Sequence, residues 1–263
     1  MNLEELIDPV VALATRAGEK ILEVYATDFE VQEKDDASPV TRADLAADHE
    51  IVAGLAAMTP EVPILSEESG LPPFEERSAW TRYWLVDPLD GTKEFVNRNG
   101  EFTVNIALID DGRPVFGVVR VPVQAKTYVG CEGYGADVRE DGGEPRAIHV
   151  GNASAEPPRV VGSRSHRGES LDKWLANLGD FELVPMGSSL KFCVVAEGGA
   201  DVYPRLGPTS EWDTAAAHAV VLASGGIIVT LDGEALQYNK KESLLNPEFL
   251  VIADDRYDWL AAF

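Results

Sequence analysis

The sequence predicts a mixed α/β (α+β) protein in two parts, residues 1–150 and 151–263, with the boundary in the Pro-, Ala- and Glu-rich stretch 144–158. Three observations predict it. Apolar residues recur at helical spacing over residues 3–25, as in an amphipathic helix laid on a core. Two long apolar runs, 102–109 and 115–121, flank Asp110-Asp111-Gly112, a strong hairpin signal. Beyond residue 158, short apolar runs alternate with helical patterns, as in a smaller mixed unit.

Taken in order, the first helix carries Leu3, Leu6, Ile7, Val10, Ala14, Ala17, Ile21 and Val24 on one stripe. A polar segment, 32–38, follows and ends at Pro39. Thr41 reads as an N-cap with Asp44 three residues on, in the manner of a capping box, and Leu45, Val52 and Leu55 mark the stripe of a second helix. Asp44 also suits a first helical turn through the helix dipole alone. Residues 63–66 read as a short buried strand that runs into Glu67 and Glu68. The apolar run Trp84-Leu85-Val86 leads into Asp87-Pro88-Leu89-Asp90-Gly91-Thr92, an acidic turn bent by Pro88 and Gly91. The hairpin strands follow, then strands over 126–131 and 135–139. The second part reads as strand 160–163, helix 171–178, strand 181–184, helix 190–197, strand 201–203, helix 214–223, and strands 227–231 and 249–253.

Composition excludes several functions. The 263 residues, 45% hydrophobic, suit one large domain or two small ones sharing an interface. No apolar run approaches the roughly 20 residues that span a bilayer. Residues 1–5 lack the basic start and apolar core of a signal peptide, so a cytoplasmic location is expected, at most peripheral to the inner membrane. Cys131 and Cys193 fit neither a disulfide framework nor a zinc site and read as reduced core residues. A net charge of −23 repels polyanions and speaks against a nucleic-acid polymer as partner. A small anionic substrate stays compatible, because bound cations invert the local field.

The chemistry-bearing residues are acids at the ends of elements. Asp87 and Asp90 flank a bend that can aim both carboxylates and an intervening carbonyl at one point, the oxygen-only donor set of a hard cation such as Mg²⁺. Glu67 ends a buried strand, where α/β proteins carry ligands. Asp213, in Glu211-Trp212-Asp213-Thr214, starts an Ala-rich helix and alone could be a simple N-cap. Clustered, Glu67, Asp87, Asp90 and Asp213 would repel one another, and divalent cations are the usual remedy. Two Mg²⁺ about 3.5–4 Å apart can hold a phosphate, activate water and stabilise a leaving oxygen. Gly91 and Thr92 would open a helix whose free N–H groups face that phosphate. Thr92 with Asp44 could position a water and take its proton.

These residues resemble the inositol monophosphatase superfamily. The resemblance rests on Asp87-Pro88-Leu89-Asp90-Gly91-Thr92, on Ser66-Glu67-Glu68 upstream and on Trp212-Asp213-Thr214-Ala215-Ala216 downstream, and it covers nearly the whole chain. Lys93-Glu94-Phe95, the run 99–108, Ser163-Arg164-Ser165-His166, the run 187–193 and the run 203–209 are similar to 3′(2′),5′-bisphosphate nucleotidases of the CysQ type. Inositol monophosphatases usually differ there.

The resemblance implies a layered α-β-α-β-α fold with a large antiparallel sheet and a smaller mixed sheet. It implies a lithium-sensitive phosphatase with two Mg²⁺, or three. Glu67, Asp87 and the Leu89 carbonyl would hold one cation. Asp87, Asp90 and Asp213 would hold the second, and Glu67 would orient a water on a weaker third. Asp44 and Thr92 would form the water-activating pair. His166, Ser188, Lys191 and Arg205 would hold a nucleotide and its remaining 5′-phosphate. Glu67, Leu89, Asp90, Gly91, Thr92 and Asp213 would border the group transferred.

The expected reaction is hydrolysis of 3′-phosphoadenosine 5′-phosphate to AMP and phosphate, serving sulfur metabolism, by a monomer or homodimer. The nearest alternatives are an inositol monophosphatase or fructose-1,6-bisphosphatase activity. A non-catalytic cation-binding protein would explain the charge but not the placement of Thr92 and Asp44.

Overall fold

A computed structural model describes residues 1–27, 42–151, 156–162, 168–253 and 257–263, and the backbone of 32–33 and 39–40. Thr41 and the run 163–166, including His166, lie outside the described residues. A 3-10 turn, Glu4–Leu6, opens into α1 (Ile7–Tyr25). The short strands β1 (Gln32–Glu33) and β2 (Pro39–Val40) pair with each other, and α2 (Arg42–Met58) follows. Then come β3 (Ile64–Ser66), α3 (Phe74–Arg77), β4 (Arg82–Asp90) and α4 (Thr92–Val96). The strands β5 (Thr103–Asp110), β6 (Arg113–Val121), β7 (Lys126–Cys131), β8 (Gly135–Glu140) and β9 (Arg146–Ala147) complete a seven-stranded sheet. Its order is β3-β4-β5-β6-β7-β8-β9, and every pair is antiparallel except β3 with β4.

The second part runs β10 (Arg159–Gly162), α5 (Glu169–Leu178), β11 (Glu182–Pro185), α6 (Leu190–Ala196), β12 (Val202–Arg205), α7 (Glu211–Ala223), β13 (Ile227–Thr230) and β14 (Phe249–Ile252). Its five strands form a mixed sheet in the order β11-β10-β12-β14-β13. Among the described residues, no helix is long and apolar enough to cross a membrane.

Strand alternation builds the layers. Trp84, Val86, Ile106 and Val118 face α1 and α2, whereas Leu85, Ala107 and Val119 face the opposite side. That opposite side packs on α6 and α7, which also cover Tyr203, Phe249 and Val251 of the second sheet. Val160, Val202, Leu250 and Ile252 point outward onto α5 and Trp259. The order is therefore helix pair, sheet, helix pair, sheet, helix, the expected α-β-α-β-α arrangement. Fully burying a large apolar side chain contributes about 1.5–3 kcal/mol. The middle core draws such residues from both sides of residue 150, so the two sheets share one packed seam.

The second helix differs from expectation in its buried stripe. Ala43, Asp44, Ala47, Ile51 and Leu55 face inward, while Leu45 is 49% exposed and Val52 is half-buried. Small residues let α2 approach α1, and a Cβ on Gly54 would lie only 2.5 Å from Leu13 Cδ1. The alanine face is weak in hydrophobicity, so periodicity pointed to the larger but outward Leu45.

The helix α7 is seated by a glycine pair. Gly117 and Gly130 lie opposite each other on β6 and β7. A Cβ on Gly117 would stand 2.2 Å from the Ala216 carbonyl oxygen, and one on Gly130 2.4 Å from Val220 Cα. The alanines of α7 complement them, so the helix backbone lies almost on the sheet.

Two predictions follow from this packing. Gly130→Ala should destabilise the protein by about 1–3 kcal/mol in chemical denaturation, because backbone atoms cannot yield as a side chain would. Parent-like stability would contradict the close seating. Separately, burial holds His218 on α7 neutral and drives its pKa down to about 3, with Arg113 adding to the shift, while Nδ1 bonds the Tyr238 hydroxyl at 2.9 Å. A histidine depressed on folding contributes stability above its unfolded pKa of about 6.5 that is lost as pH falls towards the folded value. Lowering pH from 7 to 5 should therefore cost the parent about 2 kcal/mol more than His218→Asn, measured by urea unfolding at both pH values.

Candidate active site

Two neighbouring strand ends bring the first acids together. Parallel β3 and β4 place Ser66 beside Val86, and the Glu67 N–H donates to the Val86 carbonyl at 3.2 Å. Glu67 thus leaves its strand alongside Asp87 on the next.

A bulge then turns Asp90 to the same face as Asp87. Asp87 pairs with Asn105 and Asp90 with Thr103, with a register shift between the two pairs. Asn105 and Thr103 are two apart on β5 and share a face, whereas their partners are three apart. The extra residue on β4 absorbs the mismatch and puts both aspartates on one side. Leu89 keeps its side chain in the opposite core, under α1 and α2. Asp87 Oδ1 accepts from the Leu89 N–H at 3.1 Å, which closes the bend. Gly91 completes the turn at φ +90° and starts α4 at Thr92, which is half-buried. A Cβ at Gly91 would press on Ser188 Cβ at 3.3 Å, so glycine meets both the backbone angle and the close approach.

Helices supply the other acids. Asp44 lies in the first turn of α2 and is 2% exposed. Ser210 caps α7 in a capping box, and its N–H donates to Asp213 Oδ2 at 2.9 Å. Asp213 is thus the third residue inside the helix rather than its cap.

The electrostatics show how the acids meet. Asp87 is 1% exposed. Burial, then the charges of Glu67, Asp90, Asp213 and Asp44, push its carboxyl well above the usual range. Burial and Asp90, with a smaller push from Glu67, raise Asp213 to about 8 against the pull of the Ser210 N–H and Arg205. Four of the acids singled out in the sequence therefore lie near enough to act on the fifth, Asp87. Among the described residues, no three His, Cys, Asp or Glu side chains form a ready-made cage for a metal ion. A hard divalent cation fits the donor chemistry, which is all carboxylate, and backbone oxygen and water would fill out its shell.

A cationic wall faces the acids. Asp90, Ser188, Lys191, Arg205 and Asp213 line one cavity of about 80 Å³. Lys191 and Arg205 also border a neighbouring hollow of about 210 Å³ formed with Leu171, Tyr203, Leu206 and Gly207. Lys191 is 7% exposed, with Nζ 5.6 Å from the centre of the Tyr203 ring. Burial lowers its pKa to about 8, with Asp90 and Glu94 pulling the other way. Arg205 Nη2 donates to the Pro208 carbonyl at 2.6 Å. A larger hollow of about 400 Å³ lies at the other end of α7, away from the acids, beside Arg113, Cys131 and Leu222.

Sequence reasoning assigned no role to Thr103, Asn105 or Ser189. The three form a buried hydroxyl and amide cluster beneath Asp90. The available signal was the polar alternation of Thr103 and Asn105 within an otherwise apolar strand.

The model of the inositol monophosphatase family matches residues 2–259. The chain is 51% identical over 248 residues to the 3′(2′),5′-bisphosphate nucleotidase CysQ of Salmonella typhimurium, covering 94% of this chain and 99% of the relative. The protein of that name from Escherichia coli (strain K12) gives the same identity and coverage. The crystal structure of CysQ from Bacteroides thetaiotaomicron, a bacterial member of the inositol monophosphatase family, superposes with a TM-score of 0.81 at 43% identity, covering 93% of this chain and 96% of that one.

The acid cluster predicts a cation-dependent stability. A carboxyl raised on folding contributes stability while protonated, and that contribution is lost as pH rises from its unfolded value of about 4 towards the folded one near 8. Mg²⁺ should therefore raise the melting temperature more at pH 8 than at pH 5. The gain approaches about 3 kcal/mol when free cation exceeds its dissociation constant a hundredfold. Asp87→Asn in EDTA at pH 8 should be at least as stable as the parent, yet show little gain with Mg²⁺. Equal gains in the two proteins would contradict the clustering.

Proposed function

The chain belongs to the inositol monophosphatase family, and from that premise we propose that it is a Mg²⁺-dependent phosphatase converting 3′-phosphoadenosine 5′-phosphate to AMP and phosphate. One observation carries the reading: an acid cluster that calls for cations stands directly beside Lys191 and Arg205 in one cavity. A substrate with two phosphates suits that pairing. The phosphate to be removed sits over the carboxylates and their cations, and the one retained sits against the cationic wall. The names borne by relatives at 51% identity point the same way.

On this reading residues 1–150 supply most of the cation ligands, and residues 151–263 supply Asp213 and the nucleotide side. Glu67, Asp87, Asp90 and Asp213, with the Leu89 carbonyl, would hold two Mg²⁺, and Glu67 would serve a weaker third. Mg²⁺ there would supply charge neutralisation and acidify a water at neutral pH. Thr92 Oγ1 takes a proton from the attacking water as its own hydroxyl proton passes to Asp44. The water oxygen attacks phosphorus in line with the 3′-oxygen. The new P–O bond forms as the ester P–O bond breaks, and the departing 3′-oxygen takes a proton from a second water as AMP leaves. Gly91, with no side chain, lets the phosphate approach the backbone before α4. Ser188 and His166 complete the nucleotide side, and the hollow past Arg205 gives the nucleoside a half-apolar wall.

Phosphate release decides the proposal. The protein should release phosphate from 3′-phosphoadenosine 5′-phosphate with Mg²⁺ and not with EDTA, and release it faster than from inositol 1-phosphate or fructose 1,6-bisphosphate. Turnover of inositol phosphate without the nucleotide would overturn the substrate. Thr92→Ala and Asp44→Asn should each lower kcat by about 10²–10⁴-fold while leaving Mg²⁺ affinity within a few-fold of the parent. Unchanged kcat in both would remove the pair from the mechanism.

A further inference from the structure

The carboxylate of Asp90 is bound unevenly. Its Oδ2 accepts the Ser189 N–H at 2.7 Å and the Ser188 hydroxyl, and Thr103 Oγ1 stands 3.4 Å away, behind those two donors. Among the described residues, no donor lies on Oδ1. The donors themselves are tied together. Thr103 Oγ1 lies 2.7 Å from Ser189 Oγ and 3.0 Å from Ser188 Oγ, and Ser189 Oγ donates to Asn105 Oδ1 at 3.0 Å. Thr103, Ser189 and Asn105 are all buried.

The backbone is bent to make this possible. Ser188 adopts φ +49°, a left-handed conformation that costs energy for any residue but glycine. The bend lets two successive residues, Ser188 by its side chain and Ser189 by its backbone, reach the same oxygen. A Cβ on Gly187 would lie 2.8 Å from Glu101 Oε2 and 3.1 Å from Glu94 Cγ, so glycine lets the turn pack against both side chains. The turn leads directly into α6 with Lys191 on the cavity wall.

We propose that Ser188 and Ser189, braced from behind by the Thr103 hydroxyl, form a clasp that holds Asp90 Oδ2 and dedicates Oδ1 to the cation, making the three positioning residues for the cation site. The proposal rests on the reading of Asp90 as a cation ligand. It also changes the role of Ser188. A hydroxyl has one hydrogen, and here it is directed to Asp90. A phosphate has only acceptors to offer, so Ser188 serves the carboxylate before it serves the substrate. Groups that hydrogen-bond a ligating carboxylate fix its orientation, and removing one commonly lowers metal affinity about 10–100-fold.

The test measures Mg²⁺ binding by calorimetry on the full chain with no nucleotide present, beside melting temperature. Thr103→Val keeps the shape and removes the hydroxyl, and it should weaken Mg²⁺ binding about 10-fold or more. Thr103→Ser restores the hydroxyl and should return most of that affinity. Ser189→Ala, which breaks the link from Thr103 to Asn105, should weaken binding in the same direction. Parent-like affinity in Thr103→Val, or equal losses in Thr103→Val and Thr103→Ser, would overturn the clasp, the latter by assigning the effect to packing. Asp90→Asn separates the two levels. If it leaves Mg²⁺ affinity unchanged, the cation reading of Asp90 fails and the clasp with it. If it removes binding while Thr103→Val does not, the clasp alone fails.

Discussion

Repulsion among buried carboxylates is the constraint on which the site depends. Asp87 sits almost without solvent contact and under the charges of four other acids. Isolated, such a group would take up a proton rather than stay charged. The fold nevertheless uses a bulge on β4, a parallel strand end, and the first turns of two helices to bring the acids there. None of those devices stabilises the cluster by itself. On the proposed reading the compensation would come from outside the chain, as a cation, which would link stability and ligand binding at this point.

The geometry that resists this repulsion comes from packing. Leu89 is anchored in the core under α1 and α2, which keeps the bulge from relaxing. Gly117 and Gly130 let α7 lie against the sheet so closely that Asp213, near its start, has no freedom to withdraw. At the same end of α7, Glu211 accepts from the Asn239 N–H at 2.8 Å, and the Asn239 amide donates to the Arg77 carbonyl at 2.6 Å. Buried polar links of this kind between distant segments hold α7 to the chain that follows Glu67. The acids therefore belong to one rigid frame, although they arise from positions 44 to 213 of the sequence.

Much of this frame was legible in the sequence, and the gaps have physical causes. The extent of α1, the turn at Asp110-Asp111-Gly112 and the strands around it emerge from local periodicity, which packing respected. In α2 the sequence pattern places Leu55 inward, as observed, but points to Leu45 and Val52 where the inward face instead carries Ala43, Asp44 and Ala47, whose small side chains trade hydrophobicity for close approach. Layering escapes periodicity altogether, since a strand pattern shows that it has an inner face but not what lies against it. It came from the family resemblance. The acids were legible as residues at element ends, but the shared face of Asp87 and Asp90 depends on the β5 register. The clasp joins Thr103 to residues 85 and 86 positions away, so no local pattern could disclose it.

The strongly negative chain and an anionic substrate are reconciled by distance. Charges beyond the Debye length of about 8 Å at physiological salt are largely screened. A net charge of −23 spread over the surface therefore acts weakly inside the cleft. There the balance is set by the few groups within contact range, and those are arranged in opposition. Lys191 is held in the wall with little solvent, where its charge acts in a low dielectric. Arg205 is fixed by its bond to the Pro208 carbonyl. The acids opposite would repel a phosphate until cations neutralise them. On the proposed reading, an empty cluster would reject the group that a loaded cluster would accept, and charge alone would place cation before substrate.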